Sequence, residues 1–207
     1  MIDELILRYP VLAVCKDDIE NAVALLCSAF KKSGKLLVAG NGGSASDSAH
    51  IVGELMKGFI FRRPLSDKEK ELFDSFSDKD FLVKNLQGAL PALSLTEASA
   101  LSSAFSNDVC PDMVFAQQVW GLGVKGDVFL ALSTSGNSKN VVLAAKVAKA
   151  KGLSVISLTG ENPSQLLEIS DITIRVPEKE TFKVQELHLP VYHYICAQCE
   201  KYFFEEK

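Results

Sequence analysis

Two segments rich in glycine and hydroxyl side chains, AGNGGSAS at residues 39–46 and LSTSGNSKN at 132–140, each follow a short apolar run and lead into an amphipathic stretch. At a strand-to-helix junction such a segment offers free backbone N–H groups, the positive end of a helix dipole and neutral hydroxyl donors, a combination suited to an anion. The groups concerned are Asn41, Gly42, Gly43 and Ser44 in the first and Ser133, Thr134, Ser135 and Ser138 in the second. Glycine-serine turns also join strands to helices without holding any ligand, but two of them on one sheet favour the anion-binding reading. Neither segment has the lysine of a G-x-x-x-x-G-K-[ST] loop or the spacing of G-x-G-x-x-G, so no nucleotide cofactor is expected.

His50 and Glu54 stand at i, i+4, on one face of a helix and one turn apart. A histidine and a carboxylate so placed can move protons together or ligate one metal ion. Gln185, His188 and His193 fall in QELHLPVYH. Eight helical residues rise about 12 Å, so Gln185 and His193 reach one ion only if the helix is distorted, the side chains converge or two subunits contribute. Pro190, between them, removes a helix hydrogen bond and is a candidate for such a distortion. An ordinary helix–helix contact is the alternative for His50 and His193, and core or interface packing is the reading for His188. The cysteines are odd in number (Cys15, Cys27, Cys110, Cys196 and Cys199), and the Cys196-x-x-Cys199 pair has no second pair to complete a zinc site. Thiols packed in or beside a core are expected.

The elements that must position these groups follow from periodicity. Residues 35–40, 91–95, 127–132, 153–158 and 171–176 are short apolar runs and read as buried strands. Helical spacing covers 2–32, with Pro10 as a break, then 44–59, 110–121, 138–151, a short stretch after Pro163, and 182–204. Continuously apolar strands separated by helices specify a parallel sheet covered on both faces. The expected architecture is a three-layer α/β/α sandwich with a five-stranded parallel sheet in flavodoxin-like order. Residues 61–87 are charged and punctuated, too short to bury a core, and read as an insertion in a single domain spanning 1–207.

The chain of 207 residues carries 22 Lys and Arg against 26 Asp and Glu, a net charge of -4 without a basic block, so neither nucleic acid nor an anionic membrane is the expected partner. No apolar run approaches the ~20 residues of a membrane span. The opening MIDELILRYP lacks a basic region before an apolar stretch, and a cytoplasmic location is expected.

Taken together, GNGGSASDSAH with Glu54, Asn107–Asp108, STSGNS and QELHLPVYH resemble the sugar isomerase (SIS) domain family, and within it the phosphoheptose isomerases. The resemblance covers nearly the whole chain outside 61–87. It implies an aldose–ketose isomerase working on a phosphorylated sugar through an enediol, with sedoheptulose 7-phosphate as leading substrate. It assigns Ser133, Thr134, Ser135 and Ser138 to the phosphate and Asn41, Gly42, Gly43, Ser44, Asn107, Asp108 and Gln185 to the sugar. Glu54 becomes the base and His193 its acid partner. In some members zinc is bound at positions matching His50, Glu54, Gln185 and His193, and members are homotetramers with active sites between subunits. Relatives that keep the fold as non-catalytic sugar-phosphate-binding or regulatory proteins, one of them binding a replication initiator, give the alternative reading. Such a binder has no need of Glu54 and His193 together. The chain departs from the family pattern at Phe182, where an acidic residue is usual, and at Lys57-Gly58-Phe59, where an arginine is frequent.

Overall fold

The computed structural model describes residues 2–205; residues 1, 206 and 207, the extremes of the expected 1–207 domain, lie outside the described residues. The five apolar runs form β1 (Leu36–Ala39), β2 (Ala92–Ser94), β3 (Val128–Leu132), β4 (Ser154–Thr159) and β5 (Ile172–Arg175). All neighbours pair in parallel in the order β2-β1-β3-β4-β5, the flavodoxin-like order. Because side chains alternate across a strand, Leu36, Val38, Leu130 and Ile156 enter one core while Leu37, Ala39, Phe129 and Val155 enter another. Apart from Ala39, each such side chain stabilises the fold by about 1.5–3 kcal/mol relative to exposure.

The helices are α1 (Ile2–Arg8), α2 (Lys16–Lys31), α3 (Gly43–Met56), α4 (Asp67–Glu71), α5 (Lys79–Asn85), α6 (Ser99–Asp108), α7 (Val114–Leu122), α8 (Lys139–Ala150), α9 (Gln165–Ile169) and α10 (Thr181–Phe204). The first core packs α1, α2, α3 and α10 on one face of the sheet, and the second packs α7, α8 and α9 on the other. Both faces are covered, as continuous apolar strands require.

The expected break at Pro10 is present: it opens a 3-10 turn at Pro10–Cys15 between α1 and α2. Two differences from the sequence-based expectation have local causes. Pro111 likewise opens a 3-10 turn at Pro111–Met113, so the helix expected at 110–121 begins at Val114. The helix α6 has no counterpart in the expectation; its sequence SALSSAFSND is serine-rich and none of its residues is fully buried, leaving little apolar periodicity to detect. Pro190, by contrast, does not break α10. The carbonyl that loses its usual helix donor is that of Glu186, a solvent-exposed residue.

The insertion holds α4 and α5, with no buried residue in either helix. Its ends are tied to each other: the Gly88 amide donates to the Arg63 carbonyl (2.8 Å) and the Gly58 amide to Gln87 Oε1 (2.9 Å). Gly58 is required by this closure, since a Cβ there would lie 2.5 Å from the Phe61 carbonyl oxygen. Phe182 is an exposed residue in the first turn of α10, with the Lys183 ammonium over its ring.

Candidate active site

The chain runs from β1 outward to β2 and then returns across β1 to β3, so the strand order reverses between β1 and β3. Ligands of open α/β sheets bind at the carboxyl ends of strands at such a reversal. Both glycine-hydroxyl loops lie there, because Ala39 at the end of β1 is in register with Ala131 near the end of β3. A reciprocal amide pair joins them: Asn41 Nδ2 donates to Asn140 Oδ1 and Asn140 Nδ2 to Asn41 Oδ1, each at 2.9 Å. Asn140 belongs to the second motif, yet its side chain gave no signal of this bridging role.

The loop at 133–138 is built mainly from its own polar groups. Ser133 Oγ and Ser138 Oγ are 2.9 Å apart, and the Asn137 amide donates to Ser135 Oγ at 3.2 Å. Gly136 adopts the left-handed region (φ 64°), where a side chain would be strained and would also collide with Ser164. Ser133 is buried while Ser135 is exposed, so the loop presents Ser135 outward over a fixed base. Ser138 caps α8 positionally but makes no side-chain capping bond; the Val141 amide donates to Asn140 Oδ1 (3.0 Å), which leaves the amides of Lys139 and Asn140 as the ones that can meet an anion.

At 41–43 the chain is open. Gly42 has φ 56° at the N-cap of α3, and nothing lies near the place its Cβ would take. Gly43 lies directly against the Gln185 side chain, with Nε2 2.6 Å from a notional Cβ. Any larger residue would push Gln185 away. Ser44 is buried in the first turn of α3.

Further along the same two helices, His50 Nε2 stands 3.1 Å from Glu54 Oε1. His193 of α10 meets His50 edge to face, ring centroids 5.0 Å apart. Its Nε2 is buried without a hydrogen-bond partner among the described residues. Burial, and next the neighbouring His50, hold the His193 pKa below the usual histidine value, with the Glu54 carboxylate pulling the other way. An imidazole with an unoccupied nitrogen, in one cluster with the His50–Glu54 pair, can take or give one proton. His193 also lines a cleft of about 340 Å³ with Arg8, Tyr9, Phe59 and Gln198.

Sequence reasoning missed two members of this cluster. The Tyr192 hydroxyl donates to Asp47 Oδ1 (3.2 Å) and stands 3.0 Å from His50 Nδ1. For every contact in the run Asp47–Tyr192–His50–Glu54 to be a donor–acceptor pair, the run must hold one proton more than a neutral imidazole and two carboxylates. Burial raises the pKa of Asp47, and burial with the adjacent Asp47 raises that of Tyr192. Asp47 lies in the quoted GNGGSASDSAH and Tyr192 directly before His193. A tyrosine on the apolar face of a helix reads as core, which it also is.

Three other expected members stay apart from this cluster. Asn107 and Asp108 end α6 on the exposed surface and bond to each other (2.8 Å), with no hydrogen bond to either loop among the described residues. Gln185 sits at Gly43, and α10 continues unbroken through Pro190, so Gln185 remains about 12 Å along the helix from His193. Cys196 and Cys199 are buried in α10, with Cys199 Sγ 3.9 Å from Cys27 Sγ. His188 is completely enclosed, among the described residues neither ring nitrogen has a partner at full hydrogen-bonding geometry, and burial, opposed by the nearby Thr159 backbone, pushes its pKa down to about 4. It serves as packing between α10 and the sheet.

Comparison with known proteins places the chain in a family. Residues 81–160 match the SIS domain family. The chain is 40% identical over 189 residues to a phosphoheptose isomerase of Synechocystis, covering 91% of this chain and 85% of that protein. Among solved structures, phosphoheptose isomerase GmhA from Neisseria gonorrhoeae superimposes with a TM-score of 0.76 at 28% identity, covering 96% and 94% of the two chains. A phosphoheptose isomerase from Francisella tularensis gives 0.78 at 27% identity, covering 94% and 91%. With two strand-end loops at the sheet's reversal point and similarity over nearly the full length of both partners, the chain belongs to the phosphoheptose isomerase family of SIS-domain proteins.

Proposed function

We propose that this protein interconverts a ketose and an aldose phosphate, with sedoheptulose 7-phosphate as substrate. The observation that carries the reading is the Glu54 carboxylate and the unpartnered His193 Nε2 in one cluster, on the helix leaving the first loop and the helix facing it. The phosphate would lie on the Lys139 and Asn140 amides at the start of α8 with Ser133, Thr134, Ser135 and Ser138, while Asn41, Gly42, Gly43, Ser44 and Gln185 would line the sugar. Glu54 would take the proton from the carbon beside the carbonyl, giving an enediol, and return it to the neighbouring carbon. His193 would move the hydroxyl proton between the two oxygens. General acid–base groups of this kind supply about 10²–10⁴ each in rate.

Zinc has no step in this reading. Among the described residues no three His, Cys, Asp or Glu side chains are arranged to hold an ion, and Gln185 lies at a different level of the helix pair. A cytoplasmic homotetramer is the assembly we propose; exposed Leu7 and Val14 beside α2 and Trp120 on α7 supply apolar surface for it. No helix among the described residues is long and apolar enough to cross a membrane.

The test is proton NMR of sedoheptulose 7-phosphate with the protein in heavy water. Exchange at the carbon beside the carbonyl and appearance of the aldose phosphate are expected. Neither signal at stoichiometric protein would overturn the reading.

A further inference from the structure

Arg63 and Glu200 are both 0% exposed at their side chains and form an ion pair, Nε to Oε1 at 2.8 Å. Burying two charges is costly unless every donor and acceptor is used, and here they are used to connect particular backbone groups. Arg63 Nη1 donates to the Leu55 carbonyl (2.6 Å) and Nη2 to the Glu54 carbonyl (3.0 Å). These are carbonyls of the last turn of α3, which have no partner within the helix. The Glu200 carboxylate accepts from the amides of Phe59 (2.7 Å), Ile60 (2.7 Å) and Phe61 (3.3 Å), the turn by which the chain leaves α3. Burial alone would raise the Glu200 pKa, but the Phe59 and Ile60 amides and then Arg63 outweigh it, and the carboxyl is held below its usual range. The ring of Phe204 covers the guanidinium, 4.7 Å from its centroid to the carbon.

Two features give this network a bearing on the site. The Arg63 fork ends on the backbone of Glu54 itself. Glu200 lies seven residues after His193, two turns along the same face of α10. The end of α3 is therefore tied to α10 by a rigid, planar, multiply bonded pair, in addition to the Tyr192 contacts with Asp47 and His50. We propose that Arg63 and Glu200 are positioning residues that set the Glu54 carboxylate against His193. This rests on the isomerase reading above. A lysine at 63 would keep the charge but lacks the planar fork that reaches two carbonyls and a carboxylate together.

The experiment compares the parent chain, Arg63→Lys and the double variant Arg63→Met/Glu200→Leu, which removes both charges and leaves no unpaired one in the core. Steady-state kinetics on sedoheptulose 7-phosphate and amide hydrogen exchange at 59–61 are read on folded protein. We expect kcat to fall at least tenfold in both variants with KM within twofold, because the phosphate loop is remote from the pair, and exchange at 59–61 to rise. Unchanged kcat in a folded variant overturns the proposal, as does a parallel change of kcat and KM. If the parent turns over no sugar phosphate, the isomerase reading falls by itself, and unchanged exchange at 59–61 then overturns the pin as well.

Discussion

The loop rim at the sheet edge and the seam between α3 and α10 handle polarity in opposite ways. In the loop at 133–138 every polar side chain is neutral, and the contacts are among hydroxyls, amides and backbone groups. In the seam Asp47, Tyr192, His50, Glu54 and His193 are titratable and touch one another within two helical turns. Neutral donors at a helix N-terminus do not themselves change charge at any pH the fold survives, so their hold on an anion varies only with the anion's own protonation. Titratable groups packed side by side shift one another and can exchange protons. The separation implies that binding and chemistry respond to different substitutions.

The largest break in that comparison is expected at Glu54. Glu54→Gln keeps the shape and a polar contact to His50 but cannot accept a proton near neutral pH. kcat should fall by about 10²–10⁴ while the sugar phosphate binds nearly as before. Elemental analysis beside the kinetics decides whether an ion contributes: restoration by added zinc would assign Glu54 to a metal instead. Full activity in the metal-free variant removes both roles.

His188 offers a test on the shared helix, outside both regions. Its pKa is about 4 in the fold against about 6.5 when unfolded. Between those values the unfolded chain binds a proton that the folded chain refuses, so stability rises with pH across this window and is lost as pH falls. The maximum loss is about 3 kcal/mol by pH 4, with about 2 kcal/mol of it reached by pH 5. Urea unfolding at pH 7 and pH 5 should show this difference in the parent and lack it in His188→Met. Equal pH dependence in both proteins rules the histidine out as the source.

The strands, their parallel arrangement and both loops were legible because each depends on local signals: apolar runs, bounding glycines and hydroxyl clusters. His50 and Glu54 were legible for the same reason, being one turn apart on one helix. What escaped depends on contacts between distant segments. The Asn41–Asn140 bridge spans two loops, Tyr192 joins Asp47 across two helices, and Arg63 in a charged insertion gave no hint that it would be enclosed. A buried arginine is written in the sequence like any surface one. The fate of Pro190 was equally illegible, since its tolerance depends on where the Glu186 carbonyl faces.

A smaller effect is expected on the rim. Ser138→Ala removes a hydroxyl that bonds Ser133 (2.9 Å) and faces the proposed anion site. A hydrogen bond to a charged group contributes about 1.5–3 kcal/mol, so affinity for the sugar phosphate should fall roughly tenfold or more with kcat changed little. Calorimetric titration with the substrate and with inorganic phosphate reads this directly. Equal loss for both ligands places the contact on phosphate, and loss for the sugar phosphate alone moves it to the sugar.

The smallest expected effect tests whether the two loops act as one rim. In the amide pair each of Asn41 and Asn140 donates once to the other, both bonds at 2.9 Å and both on the exposed side. Asn140→Asp replaces one donor with an acceptor, so Asn41 Oδ1 faces a carboxylate oxygen and one bond becomes a repulsion. A neutral hydrogen bond in an exposed position is worth about 0.5–1.5 kcal/mol, which corresponds to a two- to tenfold rise in KM. The chemistry lies on α3 and α10 and should keep its kcat. Asn140→Ala, which loses the bonds without adding a charge, should fall between the parent and Asn140→Asp. If Asn140→Asp lowers kcat at unchanged KM, the bridge acts on the seam through the start of α3, and the division between rim and seam does not hold.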